Sequence, residues 1–189
     1  LDLNSYSETV GSITGAGTIT SSTAGTPTLT AGGDNTSTSF TGVIQNGHAS
    51  AVMALTKAGS GTLTLSGTNT YSGGTIVKAG TIVAGSSTAA SVGTGTLTLG
   101  DSAGGSNNAS FLVSTTGLTY SNAIALASTT TGTLTLGNTG TAISTIFSGG
   151  VTGANNLTIN SNATSGTITF ATGSVNNTGT ITNSGTGSG

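Results

Sequence analysis

Cysteine and tryptophan are absent from this chain of 189 residues, and charge nearly so: two cations and four acids make up 3% of it. Without cysteine there is no disulfide, no thiolate metal site and no cysteine nucleophile. A chain that crosses a membrane unfolded gains from lacking thiols that cross-link early, so the absence is consistent with secretion. Lys57 and Lys78 are the only cations. Nucleic-acid binding rests on several Lys/Arg–phosphate contacts, which two lysines do not supply. Adhesion to an acidic membrane surface fails for the same reason. No run of roughly 18 apolar residues is present, so no segment reads as a membrane-spanning helix. The sequence starts at Leu1 without methionine or signal peptide and reads as a mature product or a segment of something longer.

Thr, Ser, Asn and Gly take the place of the missing charge. A typical soluble domain is about 25% charged, so solubility here must come from hydroxyls, amides and exposed backbone. These residues are not scattered. Gly-Thr followed by an apolar residue recurs along the chain, and four copies open a longer phrase, Gly-Thr-(Leu/Ile)-Thr-(Leu/Phe). They run Gly61 to Leu65, Gly95 to Leu99, Gly132 to Leu136 and Gly166 to Phe170, with starts 34, 37 and 34 residues apart. Within each phrase the period is two, so the leucines face one way and the threonines the other. Such β-branched alternation suits a pleated surface. Gly73-Gly74, Asn107-Asn108, Gly149-Gly150 and Asn155-Asn156 supply turns between strands. Ala123 to Ala127 alternates as a strand does, although it also reads as a helical turn. Past Asn176 the pattern thins and fraying is expected.

Each such strand offers two or three inward side chains, too few for a hairpin to bury a core. Stacking similar coils yields one continuous apolar column. The sequence therefore predicts an all-β fold, a right-handed parallel β-helix (β-solenoid) over residues 1–189. The phrase spacing reads as two coils of roughly 17–20 residues each. That gives about eight to eleven coils and a rod of around 40–50 Å. With aromatics at 4%, the interior must be narrow.

One stretch is more specific. Residues 54–86 read ALTKAGSGTLTLSGTNTYSGGTIVKAGTIVAGS. Leu55-Thr56-Lys57, Gly59, Gly61 to Gly67, Asn69 to Thr75, Val77 and Ala79-Gly80-Thr81 resemble the autotransporter-associated β-strand repeat. Ala58, Ile76 and Ile82 are the small departures. The resemblance implies a β-helix within the passenger region of a large Gram-negative surface protein. It implies an extracellular location on the bacterial outer-membrane surface and a role in adhesion or as a stalk. The repeat carries no catalytic residues to transfer.

Few constellations carry chemistry. Gly100-Asp101-Ser102-Ala103-Gly104-Gly105 contains Gly-x-Ser-x-Gly and resembles the nucleophile segment of trypsin-like serine proteases, with His48 and Asp34 as the partners a triad needs. The simpler reading is a loop after the strand ending at Leu99. The four acids are Asp2, Glu8, Asp34 and Asp101; Asp2 and Glu8 are close enough in sequence to meet across a turn. His48 has no partner histidine for zinc. Repeated Thr-x-Thr pairs, among them Thr62/Thr64, Thr96/Thr98, Thr133/Thr135 and Thr167/Thr169, suggest a hydroxyl-rich face. An ice- or glycan-binding solenoid face is the alternative function they raise, and a passenger serine protease fragment is the remote one. Glycosylation sequons stand at Asn35, Asn108, Asn162 and Asn176, and Tyr6, Tyr71 and Tyr120 are the tyrosines available to stack on sugars.

These observations lead to a non-enzymatic, extracellular structural or adhesive β-helix, a stalk or filament-forming segment, with no catalytic, cofactor-binding or metal residue assigned and no cofactor. The partners expected are neighbouring coils, further copies stacked end to end, or a glycan or protein of a cell surface. Nucleic acid and membrane insertion of this segment are not expected.

Overall fold

The computed structural model describes residues 1–162 and 164–187. Among them twenty short strands occur and no helix. The first are β1 (Glu8–Thr9), β2 (Thr18–Ser21), β3 (Thr28–Ala31), β4 (Thr38–Phe40) and β5 (Val43–Gly47). Next come β6 (Ala54–Lys57), β7 (Thr62–Leu65), β8 (Thr75–Val77), β9 (Gly80–Ala84) and β10 (Leu97–Leu99). They are followed by β11 (Ala109–Val113), β12 (Leu118–Tyr120), β13 (Ile124–Leu126), β14 (Leu134–Asn138) and β15 (Thr145–Phe147). The last are β16 (Val151–Gly153), β17 (Leu157–Asn160), β18 (Ile168–Phe170), β19 (Val175–Asn177) and β20 (Ile181–Asn183).

Every pairing between these strands is parallel and joins one coil to the next. The first face is an eight-stranded sheet in the order β1-β3-β6-β8-β10-β13-β16-β19. The second is a seven-stranded sheet running from β4 through β7, β9, β11, β14 and β17 to β20. A third face comes and goes. It holds β2 and β5 in the early coils and β12, β15 and β18 in the late ones. Between β7 and β8, and between β9 and β10, no strand occupies it.

The intermittent third face sets the coil length, and here the structure departs from the sequence reading. On the first face one step takes 20 residues where the third strand is missing, from Leu55 to Thr75, and 27 where it is present, from Leu97 to Ile124. The stack therefore has about seven turns rather than eight to eleven. At one strand spacing per turn it is roughly 34 Å long. The four Gly-Thr phrases do not mark alternate coils of one face. Gly61 and Gly132 precede β7 and β14 on the second face, Gly95 precedes β10 on the first, and Gly166 precedes β18 on the third. Any face of the solenoid needs a strand that starts after a tight turn and alternates in and out, so the same phrase serves all three. Ala123 to Ala127 forms β13, and the stack continues past Asn176 as β19 and β20.

The alternation works as read. Leu63, Ile82, Phe111, Leu136 and Ile159 lie in register along the inside of the second face. Leu29, Leu55, Thr75, Leu97, Ile124 and Val151 do so on the first. Each fully buried Leu, Ile or Phe is worth about 1.5–3 kcal/mol relative to exposure. In the late coils, Tyr120, Phe147 and Phe170 stack in register on the third face. Phe111 meets Tyr120 edge-on from across the core at 5.4 Å. These rings fill the wider three-sided coils, so the interior is not uniformly narrow.

Candidate functional site

The loop Gly100–Gly105 is built as a turn. Ala103 N donates to Asp101 Oδ1 at 2.9 Å, and Gly104 N donates to the Asp101 carbonyl at 2.9 Å. From the next coil, the Thr129 hydroxyl donates to the Ser102 carbonyl at 2.9 Å, and Asp101 N donates to Thr130 Oγ1 at 2.7 Å. Ser102 itself is exposed, and β11 follows the loop, not the helix that a nucleophile elbow requires. His48 lies in the turn before β6, whereas Ser102 lies in the turn after β10, at the opposite edge of the first face. The structure thus does not bring Ser102 and His48 together.

The acids also serve turns. Asp2 Oδ1 accepts from Asn4 N and Ser22 N, both at 2.9 Å. These bonds, led by those from Ser22, hold its carboxyl below the usual range. Asp34 Oδ1 accepts from Thr36 N and the Thr36 hydroxyl, which lower its pKa in the same way. Glu8 is exposed on β1. Asp101 pairs with Lys78 at 3.3 Å; the Ala103 amide is the larger cause of its lowered pKa, and Lys78 adds to it. No group of three or more His, Asp or Glu that could hold a metal ion occurs among the described residues. Of the sequon residues, Asn35 accepts from Ser60 N at 2.8 Å, Asn108 from Thr133 N at 2.8 Å, Asn162 N donates to Asn138, and Asn176 is exposed on β19.

The most developed polar arrangement lies inside the repeat. Lys57 alternates in phase with Leu55, and its side chain enters the core between Ala31 and Val77 of the adjoining coils, where its exposure is 0%. Nζ donates to the carbonyls of Ala58, Gly59 at 2.8 Å and Ala79 at 3.3 Å. All three ammonium protons are thereby used on two successive coils. Burial pushes the Lys57 pKa down, and the Asp34 carboxylate opposes that shift. Gly32 makes room for the stem: a Cβ there would sit 3.1 Å from Lys57 Cδ and Cε.

The corner that replaces the third strand is held by Asn69, Tyr71 and Thr75, all fully buried. Asn69 Oδ1 accepts from Ile44 N at 2.7 Å in the coil before, and Nδ2 donates to Ser91 O at 2.6 Å in the coil after. Tyr71 and Thr75 hydroxyls meet at 2.6 Å, and Thr75 donates onward to Val92 O at 2.9 Å. Burial raises the Tyr71 pKa well above its ordinary value. A cross-linked corner of this kind satisfies buried backbone groups that a strand ladder otherwise would. Neither Tyr71 nor Tyr120 is available to a ligand, whereas Tyr6 is exposed.

The outer surface is different. Thr62, Thr81, Ser110, Thr135, Thr158 and Thr182 follow one another in register up the second face. The Thr-x-Thr pairs do not form a double rank. Thr96/Thr98 belongs to the first face and Thr167/Thr169 to the third, and beside the column the positions are Thr64, Val83, Leu112, Gly137 and Asn160. The sequence reading missed the inward Lys57, the Asn69 lock and the register of this column. Phase with Leu55 was the available signal for Lys57; the other two needed the coil length.

No curated protein and no solved structure matches the chain. Residues 55–84, which contain Lys57, Asn69, Tyr71 and Thr75, match the family model of the passenger-associated-transport-repeat, in agreement with the repeat that the sequence resembles.

Proposed function

We propose that this solenoid is a non-enzymatic, structural and adhesive segment of an autotransporter-like surface protein, displayed outside the bacterial cell. Its work is mechanical: it spaces what lies beyond it from the membrane and presents neutral, hydroxyl-rich faces. The observation that carries this reading is the fate of the repeat's polar residues. Lys57, Asn69, Tyr71 and Thr75 are buried and joined from coil to coil, so they maintain a rod rather than a reaction site. The match over residues 55–84 supports the surface location.

Labelling of intact cells that express the parent protein tests the location. An antibody against the exposed turn at Gly47–Ser50 should bind without permeabilisation. Binding only after permeabilisation contradicts the reading. Replacement of the exposed Ser102 by Ala should leave every property of the protein unchanged; a peptidase or esterase activity abolished by Ser102→Ala would overturn the non-enzymatic assignment.

A further inference from the structure

The outer side of the second face carries its hydroxyls in register from coil to coil, an order that solubility alone does not require. The six hydroxyls of Thr62, Thr81, Ser110, Thr135, Thr158 and Thr182 stand one per coil, in register, and hydrogen-bond to nothing else among the described residues. Five strand spacings separate the first from the last, roughly 24 Å. Two cavities open along the same side of this column. One, of about 350 Å³, lies between Ser60, Thr81, Asn107, Asn108 and Ser110. The other, of about 200 Å³, lies between Thr133, Asn155, Asn156, Thr158 and Thr182. None of the side chains that line either one is charged. On the opposite side of the column, Val83 and Leu112 are paired in register and half-buried, forming a short aliphatic strip.

We propose that this face binds an extended, uncharged polysaccharide lying along the solenoid axis. Each class of group has its counterpart in such a chain. Free hydroxyls, the Asn107 amide and the Asn156 Nδ2, whose Oδ1 already accepts from Thr180 N at 2.9 Å, match sugar hydroxyls, which both donate and accept. The Val83–Leu112 strip matches the C–H face of a sugar ring. A one-per-coil repeat of polar groups suits a polymer that repeats along its length. The lack of charge in the lining disfavours sulfated, phosphorylated or uronic-acid polymers, whose charges need Lys or Arg partners. An extended peptide fits less well, because β-strand addition needs an open sheet edge. On this lateral face the backbone groups are already paired with the coils above and below. This goes beyond the structural reading, and a stalk that binds no glycan leaves that reading intact.

Affinity electrophoresis of the whole chain in gels containing mixed-linkage β-glucan, dextran or alginate tests it. At least one of the two neutral polymers should retard the protein, and alginate should not. The combined variant Thr81→Val, Ser110→Ala and Thr135→Val, which retains β-forming or small residues, should weaken the retardation roughly tenfold or more. Thr98→Val with Thr152→Val, on the outside of the first face, should leave it unchanged. Circular dichroism melting of both variants confirms that they remain folded. The proposal is overturned if neither neutral polymer retards the protein, if alginate retards it more strongly, or if the first-face variant loses as much binding as the second-face one. It is also overturned if the second-face variant abolishes self-association of the wild-type chain, which would assign the face to a second copy.

Discussion

At the residue scale, the molecule places one of its two lysines and the amides of Asn69, Asn122 and Asn138 on the inside. Lys57 is the clearest case, because a buried ammonium persists only where its protons are all accepted. Lys57→Met keeps the stem and removes the donors, leaving the carbonyls of Ala58, Gly59 and Ala79 without that partner. The expected destabilisation is about 1–3 kcal/mol, read as a lowered Tm at neutral pH. An unchanged Tm would mean that the lysine stem alone matters. Asp101 gives a second, pH-dependent prediction. Its carboxyl is held below the usual value of 3.8, first by the Ala103 amide and then by Lys78. The folded state therefore favours the ionised form. That stabilisation is fully present above the unfolded pKa and is lost as pH falls through the lowered folded one. Asp101→Asn should lower stability at neutral pH by at most about 1 kcal/mol, because the pair is partly exposed. The difference from wild type should vanish in acid melts below the folded pKa.

At the scale of turns and strands, close approach between coils explains why the corners are so rich in glycine. Gly17, Gly42 and Gly67 stack at the corner leaving the second face. A Cβ on Gly67 would lie 1.8 Å from the Gly42 carbonyl oxygen, and one on Gly42 would lie 2.0 Å from that of Gly17. A backbone carbonyl fixed in the stack has no room to yield, so Gly67→Ala should lower Tm sharply. Gly33→Ala is the control. Its added Cβ meets nothing within 4 Å, and the expected change is within about 0.5 kcal/mol. Comparable losses in the two variants would contradict the close-approach account. Strands were the most legible level of the sequence. Gly61 to Leu65 states its own conformation through alternation, and Leu63 and Leu65 are buried while Thr62 and Thr64 are not. Coil length was not legible, because the third face is present or absent according to corner residues such as Asn69 and Tyr71, whose inward direction follows from contacts with other coils. The aromatic column was hidden for the same reason: Tyr120, Phe147 and Phe170 are separated by 27 and 23 residues, intervals that mean nothing until the coil is known.

At the scale of the whole molecule, the two main sheets run along the stack, with β1 and β19 as the outer strands of the first and β20 as the last strand of the second among the described residues, while β4 is bridged to Gly15 on its outer side. β20 is exposed along its length, with Ile181 at 55% exposure, and neither β19 nor β20 carries a charge or proline to discourage pairing. Unprotected edges of this kind accept further strands. We propose that such an edge can pair with another coil or, in the isolated chain, with a second copy placed end to end. Light scattering should therefore show mass rising with concentration; a monomer at all concentrations contradicts end-to-end stacking. A head-to-tail contact of this kind would be heterologous and would not close, so stacked copies would extend into filaments rather than stop at a defined dimer.

The parallel stack itself can be tested with paired cysteines, since the chain has none of its own. In β7 and β9, Thr62 stands beside Thr81 and Thr64 beside Val83. Directly paired positions fall within disulfide reach, about 4.4–6.8 Å between Cα atoms, whereas diagonal ones do not. Thr62→Cys with Thr81→Cys, and Thr64→Cys with Val83→Cys, should each oxidise to an intramolecular disulfide in the folded protein, and Thr62→Cys with Val83→Cys should not. Efficient cross-linking of the Thr62/Val83 pair with failure of the other two would mean an antiparallel hairpin, and would contradict the solenoid on which every other conclusion depends.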